Sequence, residues 1–135
     1  MSAFFRALEL QEKHSLMSKL CHTNLNIGKM FVDLGNFERA LKYFNKAIEI
    51  SILTNDLPIK SQAHALIGKL YRKNRKYSKA IPFFQEALNY LQISPKHSIY
   101  YKIKVLYELA LTYKELEECK KVVEICQDSI ELLDN

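Results

Sequence analysis

A repeat of about forty residues is the feature that most constrains the fold of this chain. Residues 26–50 read NIGKMFVDLGNFERALKYFNKAIEI, and forty residues later the chain reads IGKLYRKNRKYSKAIPFFQEALNYL. Seven positions match in identical spacing: Ile27 with Ile67, Gly28 with Gly68, Phe31 with Tyr71, Phe37 with Tyr77, Ala40 with Ala80, Phe44 with Phe84 and Ala47 with Ala87. Each copy contains two amphipathic helical stretches joined by a tight turn. We therefore interpret the chain as a helical repeat protein.

The repeated positions alternate between small and large side chains. Gly28, Ala40 and Ala47 would let neighbouring helices approach closely, and aromatic residues such as Phe31 and Phe44 would fill the space between them. This pattern resembles the tetratricopeptide repeat, a helix–turn–helix unit. The resemblance implies an all-α fold of about seven helices, in which antiparallel helix pairs stack into a right-handed superhelical solenoid.

Two features depart from the usual form of that family. Its usual tryptophan is absent, and Asn24 and His64 stand in its place. The period of about 40 exceeds the usual 34, which predicts longer helices and a longer loop between repeats. Long helices and a long period resemble the repeat domains of the cytoplasmic peptide-pheromone receptors of Gram-positive bacteria. That resemblance implies an effector domain ahead of the repeats in a longer regulatory protein.

The chain is predicted to form one domain with a partial repeat at its start. Phe4 and Ala7 have the spacing of Phe44 and Ala47, so the first segment matches a second helix without its first helix. It is either a diverged capping helix or, as we favour, a sign that the chain is a piece of a longer protein. The predicted segments are an orphan helix, two repeats and a degenerate third repeat, over residues 1–14, 15–54, 55–93 and 94–135.

Turn residues predict where individual helices begin and end. Gly35 supplies the left-handed residue after the first helix of repeat one, and Asn74 is expected to do so in repeat two. Asn55 or Asp56 is expected to cap the next helix. Ser94 followed by Pro95 is the start signal of the third repeat.

Composition and motifs favour a binding function over catalysis. The net charge is +5 and the sequence pI about 9.1, which favours acidic partners. The four histidines have no ligand or catalytic partner at a useful spacing, so no catalytic residue, metal or cofactor is predicted. Cys119 and Cys126 occupy aromatic positions of the repeat and are expected to be buried, while Cys21 is expected at the exposed start of a helix face. Unpaired cysteines, and the lack of a signal peptide or membrane span, predict a cytoplasmic protein.

The resemblance implies that the first helices of successive repeats line a concave groove that binds a peptide or a protein segment. The candidate binding residues in this groove are His22, Leu25, Asn26, Lys29, Gln62, Leu66, Lys69, Arg72, Lys104 and Tyr107. Basic residues outnumber acidic ones at the groove positions, and Lys69 and Arg72 could hold a carboxylate between them because they lie three residues apart on one helix face. Asn26 and Gln62 can each donate and accept hydrogen bonds to a peptide backbone.

These residues predict recognition of a short acidic or free-carboxylate peptide. The two-carboxylate clamp of the family's chaperone-binding members is disfavoured, since Leu25 and Ala65 stand where lysine is needed and Lys69 stands where asparagine is expected. The basic run at residues 72–76 spans a turn and is interpreted as a solvated corner, so nucleic acid would be bound only through another domain. The alternative function is a structural scaffold that self-associates through its exposed terminal helices.

Overall fold

The computed structural model describes residues 2–93 and 99–134, and all secondary structure in these residues is helical. The helices are α1 (Ala3–Asp33), α2 (Phe37–Thr54), α3 (Leu57–Lys73), α4 (Tyr77–Ile93), α5 (Ile99–Glu115) and α6 (Cys119–Asp134). Each helix packs against the next, and α3 also touches both α1 and α5. This arrangement confirms the predicted all-α solenoid of stacked helix pairs. The predicted start signal at Ser94 and Pro95 lies outside the described residues.

The start of the chain differs from the prediction of a separate orphan helix. Residues 1–14 and 15–34 were expected to form two helices, but α1 runs unbroken over 31 residues. The described residues therefore contain six helices rather than about seven. The physical reason is local: no glycine or proline occurs before Gly28, so nothing interrupts the backbone hydrogen-bond ladder. Residues 2–16 are all exposed, and His14 Nε2 lies 3.4 Å from the carbonyl oxygen of Thr54.

The three turns inside the helix pairs share one hydrogen-bond pattern. In the first turn, Gly35 has φ +74° and the Asn36 amide donates to the carbonyl of Phe31 at 2.9 Å. Arg75 and Glu117 occupy the same place in the later turns, with φ of 62° and 60°. The prediction of a positive φ at Asn74 is wrong, because the geometry of the turn places the left-handed residue forty positions after Gly35.

The turn between the repeats uses both of the residues that the sequence singled out. Asn55, with φ 52°, ends α2 in the left-handed region, where asparagine is tolerated. The side chain of Asp56 then accepts a hydrogen bond of 3.2 Å from the Ile59 amide and so caps α3. This turn reverses the chain and brings α3 against α2.

The small and large positions of the repeat meet as the sequence predicts. The rings of Phe44 and Phe84 are fully buried, and each lies against the glycine of the preceding helix. A Cβ atom at Gly68 would come within 2.8 Å of the Phe84 ring, and the approach of Phe44 to Gly28 is closer still. Only glycine leaves room for this packing, which brings the two helices of a pair together.

All three cysteine predictions are wrong. Cys21 is fully buried, and its thiol donates to the carbonyl of Ala47 at 3.4 Å. Ser61 makes the equivalent bond one repeat later, to the carbonyl of Ala87 at 3.0 Å. Cys119 and Cys126 are exposed, because among the described residues α6 has a neighbour on one side only. The residues 42 positions before Cys119 and Cys126 are Tyr77, which is half-buried, and Phe84, which is buried.

Candidate peptide-binding cleft

A cleft of about 350 Å³ opens between α3 and α5, and we name it the α3–α5 cleft. Helix α3 supplies half of the lining residues, α5 forms the opposite wall, and α1 and α4 contribute one residue each. The lining residues are Lys29, Pro58, Ser61, Gln62, Ala65, Leu66, Lys69, Leu91, Tyr101, Lys104, Val105 and Glu108. This volume lies within the range of small-ligand sites and can admit one or two side chains of a partner.

The cleft combines an apolar surface with basic side chains. Leu66, Leu91 and Val105 are buried or half-buried and give the cleft its apolar lining. Lys29 and Lys104 are exposed on helices α1 and α5, and Lys69 lies on α3 with its side chain 44% exposed. The amide of Gln62 and the phenol of Tyr101 add groups that can both donate and accept hydrogen bonds.

Glu108 contributes the only acidic side chain among the described residues of the lining, and it is already engaged. Arg72 Nη2 lies 2.8 Å from Glu108 Oε2, and Arg72 Nε donates to the same oxygen at 2.9 Å. Lys69 Nζ lies 4.0 Å from the other oxygen, Oε1. The Arg72 and Glu108 side chains are only 21% and 19% exposed, so solvent screens their attraction weakly. The pair ties α3 to α5 at the cleft.

Five of the ten predicted binding residues line the cleft: Lys29, Gln62, Leu66, Lys69 and Lys104. The prediction for Leu25 is wrong, since it is 2% exposed within the core cluster of α1, α2 and α3 and cannot meet a ligand. Arg72 holds Glu108 rather than facing an open site. His22 and Asn26 are exposed on α1, and Tyr107 is exposed on α5, all outside the lining.

Seven of the twelve lining residues are outside the predicted set, and Pro58 and Tyr101 are two of them. Pro58 begins the lining from the first turn of α3, and Tyr101 lies one turn before Lys104 on α5. The spacing of Tyr101 from Lys104, three residues, places both side chains on one helix face and could have identified it. Pro58 gave no comparable signal, because a proline in the first helical turn normally reports only a helix start.

The helix pairs and this cleft define a helical-repeat protein with a ligand-sized groove along its first helices. Residues 19–93, more than half of the chain, match the sequence model of the family described as tetratricopeptide repeat. The chain belongs to the tetratricopeptide repeat family, whose domains serve in protein–protein interaction. None of the helices in residues 2–93 and 99–134 is both long and apolar enough to cross a membrane.

The chain is also similar to proteins of known sequence and structure. The 43 kDa receptor-associated protein of the synapse from Gallus gallus is 24% identical over 110 residues, which are 81% of this chain and 27% of that protein. The chain thus spans about a quarter of that relative's length. BtubC from P. vanneervenii superposes with a TM-score of 0.79 at 18% identity, covering 97% of this chain and 54% of that one. YrrB, described as a TPR protein with an unusual peptide-binding site, gives 0.62 at 23% identity, covering 97% and 57%.

Proposed function

We propose that the α3–α5 cleft binds a short segment of a peptide or protein without catalysing a reaction. An apolar side chain of the segment enters between Leu66 and Val105, and an acidic residue or a free carboxylate lies near the lysines. The observation that carries this proposal is the combination of an apolar lining with Lys29, Lys69 and Lys104 in one cavity. Burial of the apolar group supplies affinity, and the lysines steer the acidic group.

Two further observations support binding of a segment rather than a small polar molecule. The cleft is open, lies between helices of adjacent repeats, and carries Gln62 and Tyr101, which can hydrogen-bond a peptide backbone. YrrB, a protein of similar fold, is described as having a peptide-binding site. A partner helix or an extended peptide would both present the required side chains.

The experiment is selection from a random peptide library at low and high salt. The test variant is Lys29→Glu/Lys104→Glu, and the control is Lys42→Glu/Lys79→Glu, which changes the net charge equally at exposed positions on α2 and α4. We expect enrichment of peptides that join a bulky apolar residue to an acidic one, weakened by salt. The enrichment should be lost in the test variant and kept in the control. Equal enrichment by both variants, or none by the natural chain, would refute the proposal.

We also propose that this domain is part of a longer cytoplasmic regulatory protein, with an effector domain ahead of the repeats. The support is the long repeat period, which resembles that of the peptide-pheromone receptors. The coding sequence upstream of Met1 tests this directly. An open reading frame that continues into a recognisable effector domain would support it, and a stop codon close upstream would count against it.

A specific observation favours self-association as the alternative function. Helix α6 presents an exposed stripe of Val123, Cys126, Ile130 and Leu133. The residues 42 positions earlier in the chain, on α4, are Ile81, Phe84, Leu88 and Leu91, and these belong to the core cluster that includes α5 residues. The equivalent face on α4 is covered by another helix. We therefore propose that a helix of a second copy covers the stripe on α6. Light scattering over a concentration series, with Ile130→Glu as the comparison, would show whether dimers form without a peptide.

A further inference from the structure

We propose that Glu108 determines the ligand selectivity of the α3–α5 cleft by acting as an internal carboxylate. It pairs with Arg72, whose guanidinium would otherwise bind a carboxylate of the ligand. This inference rests on the proposed function and concerns the same cleft. It assigns the cleft a ligand whose acidic group meets flexible lysines and not a fixed arginine.

The geometry of the ion pair supports this role. Two nitrogens of Arg72, Nη2 and Nε, lie 2.8 Å and 2.9 Å from one oxygen of Glu108, and Lys69 Nζ lies 4.0 Å from the other. Charge-assisted hydrogen bonds from a guanidinium are stronger and more directional than those from an ammonium group. The Nε and Nη2 edge of the strongest anion-binding group near the cleft is therefore occupied by the protein itself.

The repeat shows that packing does not require charges at these positions. Forty residues before Arg72 the chain has Val32, and 42 residues before Glu108 it has Leu66. Val32 and Leu66 are both half-buried and packed against the core of the first repeat. The equivalent residues of α1 and α3 are therefore apolar, whereas Arg72 and Glu108 form an ion pair between α3 and α5. The ion pair is a feature of this cleft and not of the fold.

The pairing changes which charges a ligand meets. Glu108 cancels the charge of Arg72, so the remaining positive charge of the cleft comes from Lys29, Lys69 and Lys104. Lysine side chains are flexible and strongly hydrated, so they attract a carboxylate over a broad region without fixing its orientation. The apolar part of the cleft then determines the orientation of a bound ligand, and the lysines select only for a negative charge.

The first test probes Arg72 directly, with acetate as a simple carboxylate. In the natural chain, the NMR signal of the Arg72 Nε–H should not respond to added acetate, because Glu108 holds that proton. In Glu108→Gln the Arg72 Nε–H signal should shift as acetate is added, and the shift should reach a plateau. Equal, saturable shifts in both proteins would overturn the inference. Glu108→Leu is a second variant in case the first does not fold, since it introduces the residue found at Leu66, the equivalent position.

The second test compares the natural chain, a single variant and a double variant by their affinity for a library-selected acidic peptide. Glu108→Gln should bind it about tenfold more tightly, since Arg72 gains a carboxylate partner from the ligand. Arg72→Gln/Glu108→Gln should bind it within about twofold of the natural chain, because the two lost charges cancel. A large loss of affinity in the double variant would show that Arg72 already contacts the ligand, and would overturn the inference.

The two proposals fail in different ways. If no peptide is enriched, the proposed function fails, and the acetate titration still reports whether Glu108 blocks Arg72. If peptides bind but Glu108→Gln changes neither the acetate response nor the affinity, the proposed function stands and the inference about Glu108 is wrong. Glu115→Gln is the matched control, because Glu115 is an exposed carboxylate on the same helix α5, outside the cleft lining.

Discussion

The ring of Phe44 occupies the space that a Cβ atom at Gly28 would need. We expect Gly28→Ala to lower the free energy of unfolding by about 1–3 kcal/mol, as overpacking of a rigid core does, partly offset by the better helix propensity of alanine. Urea denaturation measures the change. Asn45→Ala, at an exposed position of α2, is the control and should change stability little. A Gly28→Ala protein as stable as the control would contradict the close packing.

The three thiols should differ sharply in reactivity. Cys119 and Cys126 are exposed, whereas Cys21 is fully buried. Burial first, and then the nearby carboxylate of Asp56, raise the pKa of the Cys21 thiol, so its reactive thiolate is scarce at neutral pH. Mass spectrometry after brief alkylation of the native protein should show two modified cysteines. The third should react only in urea, and rapid modification of Cys21 would exclude its buried position.

The raised pKa of Cys21 also predicts a loss of stability at alkaline pH. An unfolded thiol ionises near pH 8.5, about its ordinary pKa, while the folded thiol stays protonated to higher pH. The unfolded state then binds fewer protons, so the free energy of unfolding falls as the pH rises above about 8.5. Cys21→Ser should remove this part of the slope, because its hydroxyl does not ionise there and can replace the thiol as Ser61 does. Parallel pH profiles for both proteins would argue against it.

Single and double replacement of the ion pair should have opposite effects on stability. Arg72→Val leaves Glu108 without its main partner at a largely buried site and should cost about 1–3 kcal/mol. Arg72→Val/Glu108→Leu introduces the residue types of Val32 and Leu66 and should restore or exceed the original stability. Thermal unfolding of the three proteins measures both effects. A double variant no more stable than the single one would show that the fold needs the charges.

The first part of α1 should contribute little to stability. Residues 2–16 are all exposed, and a helical segment of this length is marginally stable without packing. Hydrogen exchange should therefore be fast in residues 3–14 and slow around Leu25, which lies in the core. Deleting residues 1–12 should leave the unfolding midpoint nearly unchanged. Strong protection of these amides would indicate that they are covered, as a second copy would do.

The helical pairs and their closest contacts followed from the sequence because the signals are local and repeated. The spacing of Gly28 and Phe44 returns at Gly68 and Phe84, and both glycines meet the predicted rings. Half of the predicted binding residues also line one cleft, since residues three or four apart on α3 share a face whatever the fold does elsewhere. The repeat period and the spacing of residues within a helix can be read from the local sequence without knowing which distant segments are in contact.

Other properties depended on contacts between distant segments. Cys21 and Cys119 exchanged their expected burial because burial depends on whether another helix covers the position. The positive φ at Arg75 was missed because the prediction chose the neighbouring asparagine, the residue type that tolerates the left-handed region better. The structure instead places the positive φ at the position equivalent to Gly35 in the repeat. The boundary between two helices expected near residue 14 is absent. The exposed residues there follow the backbone hydrogen bonds of α1, and no packing against another helix ends the helix.

The sequence by itself determined the repeat, the helix pairs, the glycine–phenylalanine packing and the basic character of the first helices. Only the tertiary structure decided that Arg72 is paired. Its partner Glu108 lies 36 residues away on another helix, so no local spacing links them. Whether a charged side chain can bind a ligand or instead stabilises the fold depends on which group lies opposite it. The packing of α5 on α3 places the Glu108 carboxylate opposite Arg72.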